Sequence, residues 1–301
     1  MSAPLSFSIS HASPYSPQLS AFFTGISHSH LLLARAASPP HALIGYCEGY
    51  SSHSGVYCSR LAVSQSSRSQ GVGKALLSSL YHAASPVQVA HLCTMEYQGP
   101  TYYPKLGYHA DHTLSLRSGR TVTYFSRALD APACAGVAAA THPAFTIASV
   151  PADAEALQEE ARAFVRREFD QHSMERVGGL SGFFAFALEA RAPAAEGGGA
   201  AEGQCLGALE AMSYWGLLVI GNLEVLPEHR RRGIGRALLA AATAHASAKG
   251  CSEAVAEVLS PSQAAACALL TQAGFAQAGS VGGFEGGQVL LRLTRTLPVA
   301  Q

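Results

Sequence analysis

The sequence has no apolar stretch long enough to cross a membrane, no closely spaced cysteine pair and little charge. No uninterrupted apolar run approaches the roughly 20 residues that a bilayer span requires. The seven cysteines are scattered without a CxxC pair, which argues against a disulfide framework or a structural zinc site. Charged residues make up 13% of the chain and the formal net charge is zero, so general nucleic-acid binding is not indicated. We therefore expect a cytoplasmic globular protein without a membrane, nucleic-acid or metal partner.

Acidic residues are missing from the first 47 positions, where Arg35 is the only fully charged side chain. A lack of acids is typical of transit peptides, but transit peptides are rich in arginine. The alternative is folded structure, with strands over residues 7–10 and 30–36 and a helix over residues 14–26. We favour this structural interpretation, although the sequence leaves a targeting segment in residues 1–40 open.

One motif, by contrast, occurs twice. The copies read Arg68-Ser69-Gln70-Gly71-Val72-Gly73-Lys74 and Arg230-Arg231-Arg232-Gly233-Ile234-Gly235-Arg236. A single offset of 162 residues relates them, and the same offset relates Val63 to Val225. Because 301 residues suit two domains of about 150 each, we expect a tandem duplication. The predicted division is a domain over residues 1–130, a linker over 131–144 and a domain over 145–301.

The pattern around each copy predicts the same order of elements in both halves, β-α-β-β-β-α-β-α-β-β. Residues 71–84 have apolar side chains at helical spacing, whereas residues 42–52, 55–64 and 87–95 are strand-like. A short helix is predicted over residues 101–106. The fold class is therefore α/β, with a mixed sheet and helices on both of its faces in each half.

The repeated motif has a chemical meaning. A loop that leads from a strand into a helix through closely spaced glycines leaves backbone N–H groups without partners. Those donors and the positive end of the helix dipole suit a phosphate or pyrophosphate. Cations at a helix N-terminus oppose the dipole, so the arginines beside the second loop are better explained by an anionic ligand.

The motifs resemble those of the GNAT superfamily, the acyl-CoA-dependent N-acyltransferases. In that family a strand reading L-x-V leads to [Q/R]-x-x-G-x-[G/A] and then a helix, and a later segment reads Y-x-x-x-G-[F/Y]. Both copies match the first pattern, and Tyr103 through Gly107-Tyr108 matches the second. The resemblance implies two tandem GNAT-like domains, each with a mixed, mostly antiparallel sheet flanked by helices. It also implies acetyl-CoA as co-substrate.

The resemblance further implies roles for individual residues. The strand before each loop would hold the pantetheine arm, and the loop would hold the pyrophosphate. In the first half these residues are Leu61, Ala62, Val63, Arg68, Ser69, Gln70, Gly71, Val72, Gly73 and Lys74. In the second half they are Leu223, Glu224, Val225, Arg230, Arg231, Arg232, Gly233, Ile234, Gly235 and Arg236. Tyr103 would be the general acid that protonates the departing CoA thiolate.

The two halves depart from the family pattern in different ways. The second half has Leu270 at the position of Tyr103, and leucine has no hydroxyl to donate. Family members often carry an acidic residue or histidine four or six residues before the motif valine. Those positions hold Ser59 and Tyr57 in the first half and glycine and valine in the second. Neither half therefore shows a side-chain base, and ordered water is the alternative.

These observations predict an N-acetyltransferase that transfers an acetyl group from acetyl-CoA to a primary amine by direct attack. The acceptor would be a small-molecule amine or a protein or peptide amine, and the tandem arrangement is compatible with a monomer. The alternative is a non-catalytic CoA-binding sensor or interaction module, at least for the C-terminal half. The sequence identifies neither the acceptor nor the number of halves that bind acetyl-CoA.

Overall fold

The computed structural model describes residues 8–12, 28–99, 101–129, 144–151, 153–170, 175–176, 184–193 and 203–298. The strands are β1 (Ser8–Ala12), β2 (His28–Ala36), β3 (Leu43–Ser52), β4 (Gly55–Val63), β5 (Val89–Met95), β6 (His109–Ser115), β7 (Thr121–Ala128), β8 (Phe145–Ser149), β9 (Phe184–Arg191), β10 (Cys205–Tyr214), β11 (Leu217–Val225), β12 (Glu253–Ser260), β13 (Ala276–Val281) and β14 (Val289–Thr296). The α-helices are α1 (Val72–Ala83), α2 (Glu155–Val165), α3 (Ile234–Ala248) and α4 (Ala264–Gln272). The predicted helix over residues 14–26 and nearly all of the predicted linker lie outside the described residues.

The strands form two mixed sheets of seven strands each. The N-terminal sheet has the order β6-β7-β5-β4-β3-β2-β8, and the C-terminal sheet has the order β1-β9-β10-β11-β12-β14-β13. One neighbouring pair in each sheet is parallel, β4 with β5 and β11 with β12, and the other pairs are antiparallel. The predicted α/β class, with two mixed sheets flanked by helices, is confirmed.

Each sheet takes one edge strand from the other half of the chain. Strand β1 pairs with β9 of the C-terminal sheet, and β8 pairs with β2 of the N-terminal sheet. Helix α2 follows β8, and its Ala161 and Phe164 pack against Leu33 and Tyr46 of the N-terminal sheet. The division at residues 131–144 remains a prediction, and sheet membership crosses it in both directions.

The glycine-loop helices are held on their sheets by one apolar face. In α1 the side chains of Val72, Leu76 and Leu80 recur every four residues and are fully buried. Burying one such leucine stabilises the fold by roughly 1.5–3 kcal/mol. Gly45 on β3 makes the approach of this helix close, because a Cβ there would lie 2.9 Å from both Leu76 and Val72. Helix α3 buries the corresponding face against the C-terminal sheet.

The predicted helix over residues 101–106 is wrong. The structure has only a 3₁₀ turn there, Pro104–Leu106. Proline suits the first helical position, and Gly107 ends the turn in the left-handed conformation with φ of +82°. Proline and glycine therefore leave room for one turn, whereas the second half has the nine-residue α4 at the matching place.

The two halves pack against each other through apolar side chains. Val122 and Met95 of the N-terminal sheet belong to one buried cluster with Leu217 and Val255 of the C-terminal sheet. A second cluster joins Val89 to side chains that include those of β14 and its preceding loop. The halves are thus fixed face to face. No helix in the described part of the chain is long and apolar enough to cross a membrane.

Candidate functional site

The two glycine loops follow the same backbone path. Ser69 and Arg231 both have φ of +63°, and Gly71 and Gly233 have φ of +83° and +85°. A Cβ on either glycine would meet nothing within 4 Å. Glycine is therefore favoured at these two positions by its left-handed backbone rather than by crowding.

Each loop presents free backbone donors at the start of a helix. The first hydrogen bond of α1 runs from Ala75 N to Gly71 O, and that of α3 runs from Ala237 N to Gly233 O, both at 3.0 Å. The amides that precede Ala75 and Ala237 therefore have no acceptor within their helices. The helix dipole adds positive potential at the same place. Both loops have the geometry of an anion site.

The motif arginines fix these loops to the preceding strands. Arg68 Nε donates to Val63 O at 3.2 Å, and Arg230 Nε donates to Val225 O at 2.9 Å. Arg230 also lies 3.6 Å from the carboxylate of Glu224. The remaining loop cations are exposed. They are Lys74, Arg231, Arg232 and Arg236.

The strand that leads into each loop separates from its parallel neighbour before it ends. Strands β4 and β5 pair as far as Tyr57 with His91, and β11 and β12 pair as far as Ile220 with Ala256. Beyond these points the strands splay, which leaves backbone groups of the later strand residues without a partner on that side. The predicted pantetheine-binding residues lie along these openings. They are Leu61, Ala62 and Val63 in the first half and Leu223, Glu224 and Val225 in the second.

A groove of about 810 Å³ follows the opening in the C-terminal half. Its wall includes the loop residues Arg230, Gly233 and Gly235, strand β11 beyond the split, and helix α4. We call it the C-terminal groove. It brings together nine of the ten residues predicted for cofactor binding in this half, all except Arg232. They are Leu223, Glu224, Val225, Arg230, Arg231, Gly233, Ile234, Gly235 and Arg236.

A second cavity, of about 850 Å³, lies between the two halves. We call it the interdomain chamber. Side chains of both sheets form its wall, which is rich in aromatic rings. The rings are those of Tyr46, Tyr50, His53, Tyr57, His91, Tyr103, Tyr124, Tyr214, Trp215 and Phe284. Gly221 and Glu257 line both the chamber and the C-terminal groove, so the two cavities meet just beyond the strand split of the C-terminal half.

Tyr103 and Leu270 occupy matching positions in the two halves. Tyr108 N donates to Tyr103 O at 3.2 Å, and Phe275 N donates to Leu270 O at 3.0 Å. The glycines before Tyr108 and Phe275 are both left-handed. The predicted correspondence therefore holds in the backbone. Leu270 is buried and lines the C-terminal groove, whereas Tyr103 lines the interdomain chamber.

The surroundings of Tyr103 keep its hydroxyl protonated. Its ring packs at 5.3–5.8 Å between centroids against Tyr102, Tyr108 and Phe125. Burial raises the pKa of Tyr103 well above its usual 10, and neighbouring thiols add to this effect. A neutral phenol in a cavity wall can donate a proton.

Two family models match this chain. One describes an acetyltransferase (GNAT) domain and matches residues 27–110, and the other describes the acetyltransferase (GNAT) family and matches residues 154–275. Both halves of this chain belong to the GNAT acetyltransferase family. The predicted tandem arrangement of GNAT domains is confirmed. No curated protein matches the chain.

Solved structures with some similarity to this GNAT tandem include acetyltransferases. A candidate acetyltransferase from Agrobacterium tumefaciens is 25% identical over 50% of this chain and 97% of that chain, with a TM-score of 0.38. The ribosomal-protein-S18-alanine N-acetyltransferase from Escherichia coli is 20% identical over 44% and 81%, with a TM-score of 0.31. Arabidopsis thaliana NAA60, in complex with a bisubstrate analogue, is 17% identical over 50% and 95%, with a TM-score of 0.33. Because these TM-scores are below 0.5, the family assignment rests on the two family models.

A polar cluster that the sequence did not reveal joins the two GNAT halves. Arg292 on β14 donates to Glu257 Oε1 on β12 through Nε at 2.9 Å and through Nη2 at 2.6 Å. Its guanidinium carbon lies 3.8 Å from the ring centroid of Tyr124 on β7 of the other sheet. His91 Nδ1, on β5, lies 3.9 Å from Glu257 Oε2. The available signal was a charged residue inside each of two otherwise mostly apolar strands, Glu257 in β12 and Arg292 in β14.

Charge and burial set the protonation of this cluster. Although burial raises the pKa of Glu257, the charge of Arg292 and its hydrogen bonds lower it below the usual 4.5, so Glu257 is ionised at neutral pH. Burial lowers the pKa of His91 below 6.5, against the opposing effect of Glu257, so His91 is neutral. Among the described residues, no group of three or more His, Cys, Asp or Glu side chains could hold a metal ion.

Replacing Arg292 with Met is expected to lower the free energy of unfolding by about 3 kcal/mol, because it leaves the Glu257 carboxylate without its partner. Arg292 is 1% exposed, and methionine fills much of its volume. Urea unfolding of the variant measures the loss. The double variant Arg292→Met/Glu257→Gln serves as control, since it removes the unpaired charge and should recover part of the stability. Equal losses in the single and double variants would contradict this explanation.

Proposed function

We propose that this chain is an N-acetyltransferase that transfers an acetyl group from acetyl-CoA to a primary amine. The pyrophosphate of the donor would bind at the free amides of a glycine loop, and the pantetheine arm would follow the splayed strand. The observation that carries the proposal is the position of Tyr103. Its protonated side chain lies in the wall of the interdomain chamber, and the opening between β4 and β5 of the same half leads into that chamber.

The reaction proposed is direct attack. The amine nitrogen forms a bond to the thioester carbon, and the carbon–sulfur bond then breaks as the tetrahedral intermediate collapses. Tyr103 gives its proton to the departing CoA thiolate. The proton lost by the attacking nitrogen restores the tyrosine, so a free amine gives the amide and free CoA. An ammonium substrate first loses one further proton, which leaves to solvent.

The chamber suits an amine acceptor. Cationic amines bind favourably against aromatic rings and carboxylates, and the chamber wall contains both. Glu48 accepts from the hydroxyl of Tyr46 and lies beside Arg60. Glu210 accepts from Asn222 through Oε2, and Glu257 accepts from Arg292 through Oε1, so each of these two carboxylates has its other oxygen for a ligand. A small-molecule amine or the amino end of a peptide is the proposed acceptor.

A second candidate applies to the C-terminal half alone. It has a groove beside its glycine loop but Leu270 where a hydroxyl would be needed. This combination favours a half that binds acetyl-CoA without supplying its own general acid. In that case it would act as a CoA-binding module attached to a catalytic N-terminal half.

Acetyl-CoA titration by calorimetry, followed by turnover on an amine panel, tests the proposal. The panel contains 2-phenylethylamine, spermidine, lysine methyl ester and an alanine-ended tetrapeptide. We expect saturable binding and release of free CoA with at least one amine. Absence of acetyl-CoA binding would contradict the enzyme proposal. Binding without turnover on any amine would instead support a non-catalytic CoA-binding protein.

A further inference from the structure

Two side chains in the chamber wall can accept a proton, and they belong to opposite halves of the chain. We propose that His91 of the N-terminal half and Glu257 of the C-terminal half form a single proton-accepting pair that binds the acceptor ammonium and takes its proton. This inference rests on the proposed function. It supplies the base that the strand positions Ser59 and Tyr57 do not.

The pair lies at the strand splits of both halves. His91 is the last residue of β5 that pairs with β4, and Glu257 directly follows the last residue of β12 that pairs with β11. Only 3.9 Å separates Nδ1 of His91 from Oε2 of Glu257. Since an acyl thioester would lie in a split, a proton acceptor at this point is close to where an amine must attack.

The orientation of Glu257 leaves one carboxylate oxygen available. Both hydrogen bonds from Arg292 go to Oε1, so Oε2 faces His91. The side chain of Glu257 is 27% exposed and lines the chamber. Oε2 can therefore accept from an ammonium group in the chamber while Arg292 holds the other oxygen.

His91 is buried with an unsatisfied nitrogen. It is 8% exposed, and Nδ1 has no hydrogen-bond partner among the residues that the structure describes. The separation of 3.9 Å from Oε2 is too long for a direct hydrogen bond. A neutral imidazole nitrogen and a carboxylate oxygen can each accept a proton, and a proton taken by His91 is stabilised by the charge of Glu257. The proton belongs to the pair rather than to either residue.

The step balances with the groups named. The ammonium gives one proton to the pair, and the free amine attacks the thioester carbon as described above. The nitrogen's second proton restores Tyr103, and the proton on the pair leaves to solvent. No other reactant is needed.

Other titratable groups face the pair, and the tyrosines, Cys93 and Arg292 among them keep one protonation state near neutral pH. Burial raises the pKa of Tyr57, Tyr124 and Cys93, so these stay protonated. Arg292 remains charged because Glu257 raises its pKa against the effect of burial. Asp111, on β6, has a pKa raised above 3.8 by burial.

The test compares Glu257→Gln and His91→Gln with the control Glu253→Gln. Glu253 is on the same strand as Glu257 but does not line the chamber. The measured quantity is kcat/KM between pH 7 and pH 10, with whichever panel amine the wild type acetylates. We expect a loss of about 10²–10⁴-fold at pH 7 for the two pair variants. Without a base, the rate is proportional to the fraction of the amine that is already unprotonated. This fraction rises about tenfold per pH unit up to the amine pKa near 10, so the loss in the pair variants should shrink by the same factor as the pH rises.

The outcomes separate the two proposals. A normal rate in both pair variants, or a loss that does not change with pH, would overturn the pair while leaving the acetyltransferase proposal intact. A wild type that binds acetyl-CoA but acetylates no panel amine would overturn the proposed function and the pair together. An acceptor-independent measurement is ¹⁵N NMR titration of His91. Glu257→Gln should lower its pKa further, because Glu257 opposes the effect of burial, and Glu253→Gln should leave it unchanged.

Discussion

Replacing Tyr103 with Phe is expected to lower kcat by about 10²-fold or more while leaving the dissociation constant of acetyl-CoA unchanged. The substitution removes only the hydroxyl, and the ring contacts with Tyr102, Tyr108 and Phe125 remain. Without a proton donor, the CoA thiolate must leave as an anion. Steady-state kinetics gives kcat, and calorimetry gives the dissociation constant.

The neighbouring tyrosine provides the control for this substitution. Tyr102 packs edge-on against Tyr103, and Tyr102→Phe removes a hydroxyl of the same kind from the same segment. We expect its kcat to stay within about twofold of the wild type. If Tyr103→Phe keeps the wild-type kcat, Tyr103 is not the general acid. A parallel rise in the acetyl-CoA dissociation constant would instead indicate a role in donor binding.

The second large effect is expected at the glycine loops. Gly71→Glu and Gly233→Glu should each weaken acetyl-CoA binding at their own loop about 100-fold or more. A carboxylate beside the free amides repels the pyrophosphate and competes with it, and charged hydrogen bonds contribute about 1.5–3 kcal/mol each. Acetyl-CoA titration by calorimetry reports both affinity and the number of sites lost.

Gly119 offers a matched control for these glycines. It has φ of +81°, and a Cβ there would meet nothing within 4 Å, as at Gly71 and Gly233. It lies between β6 and β7, outside both loops. Gly119→Glu introduces the same charge and a similar backbone strain, so it should bind acetyl-CoA like the wild type. If all three variants lose binding equally, strain rather than phosphate recognition explains the result.

The pattern of losses identifies the half that binds the donor. Loss of turnover with Gly71→Glu alone would place the reactive acetyl-CoA in the N-terminal half beside Tyr103. Loss with Gly233→Glu alone would place it in the C-terminal groove. If each variant binds fewer molecules of acetyl-CoA per chain than the wild type, both loops bind acetyl-CoA.

Much of the local structure could be predicted from the sequence because its causes are local. Glycines at 71 and 233 follow from the left-handed backbone that a strand-to-helix loop requires. The helical spacing of the apolar side chains of α1 fixes its buried face. The predicted helix over residues 101–106 was wrong, because Pro104 and Gly107 limit this segment to a single 3₁₀ turn.

The exchange of edge strands could not be read from the chain. Strands β1 and β8 have five residues each, and an alternating pattern in so short a segment shows only that it is a strand. Which sheet it joins depends on the sheet edge that lies nearest in the folded chain. That is decided by how the two halves pack.

The sequence by itself determined the family, the duplication, the two glycine loops and the contrast between Tyr103 and Leu270, because each depends on residue types at fixed spacing. Only the tertiary structure placed His91 beside Glu257. The two residues are far apart in the chain, and neither is part of a repeated motif. Their approach follows from the face-to-face packing of the two sheets, which brings the strand splits of both halves to one chamber.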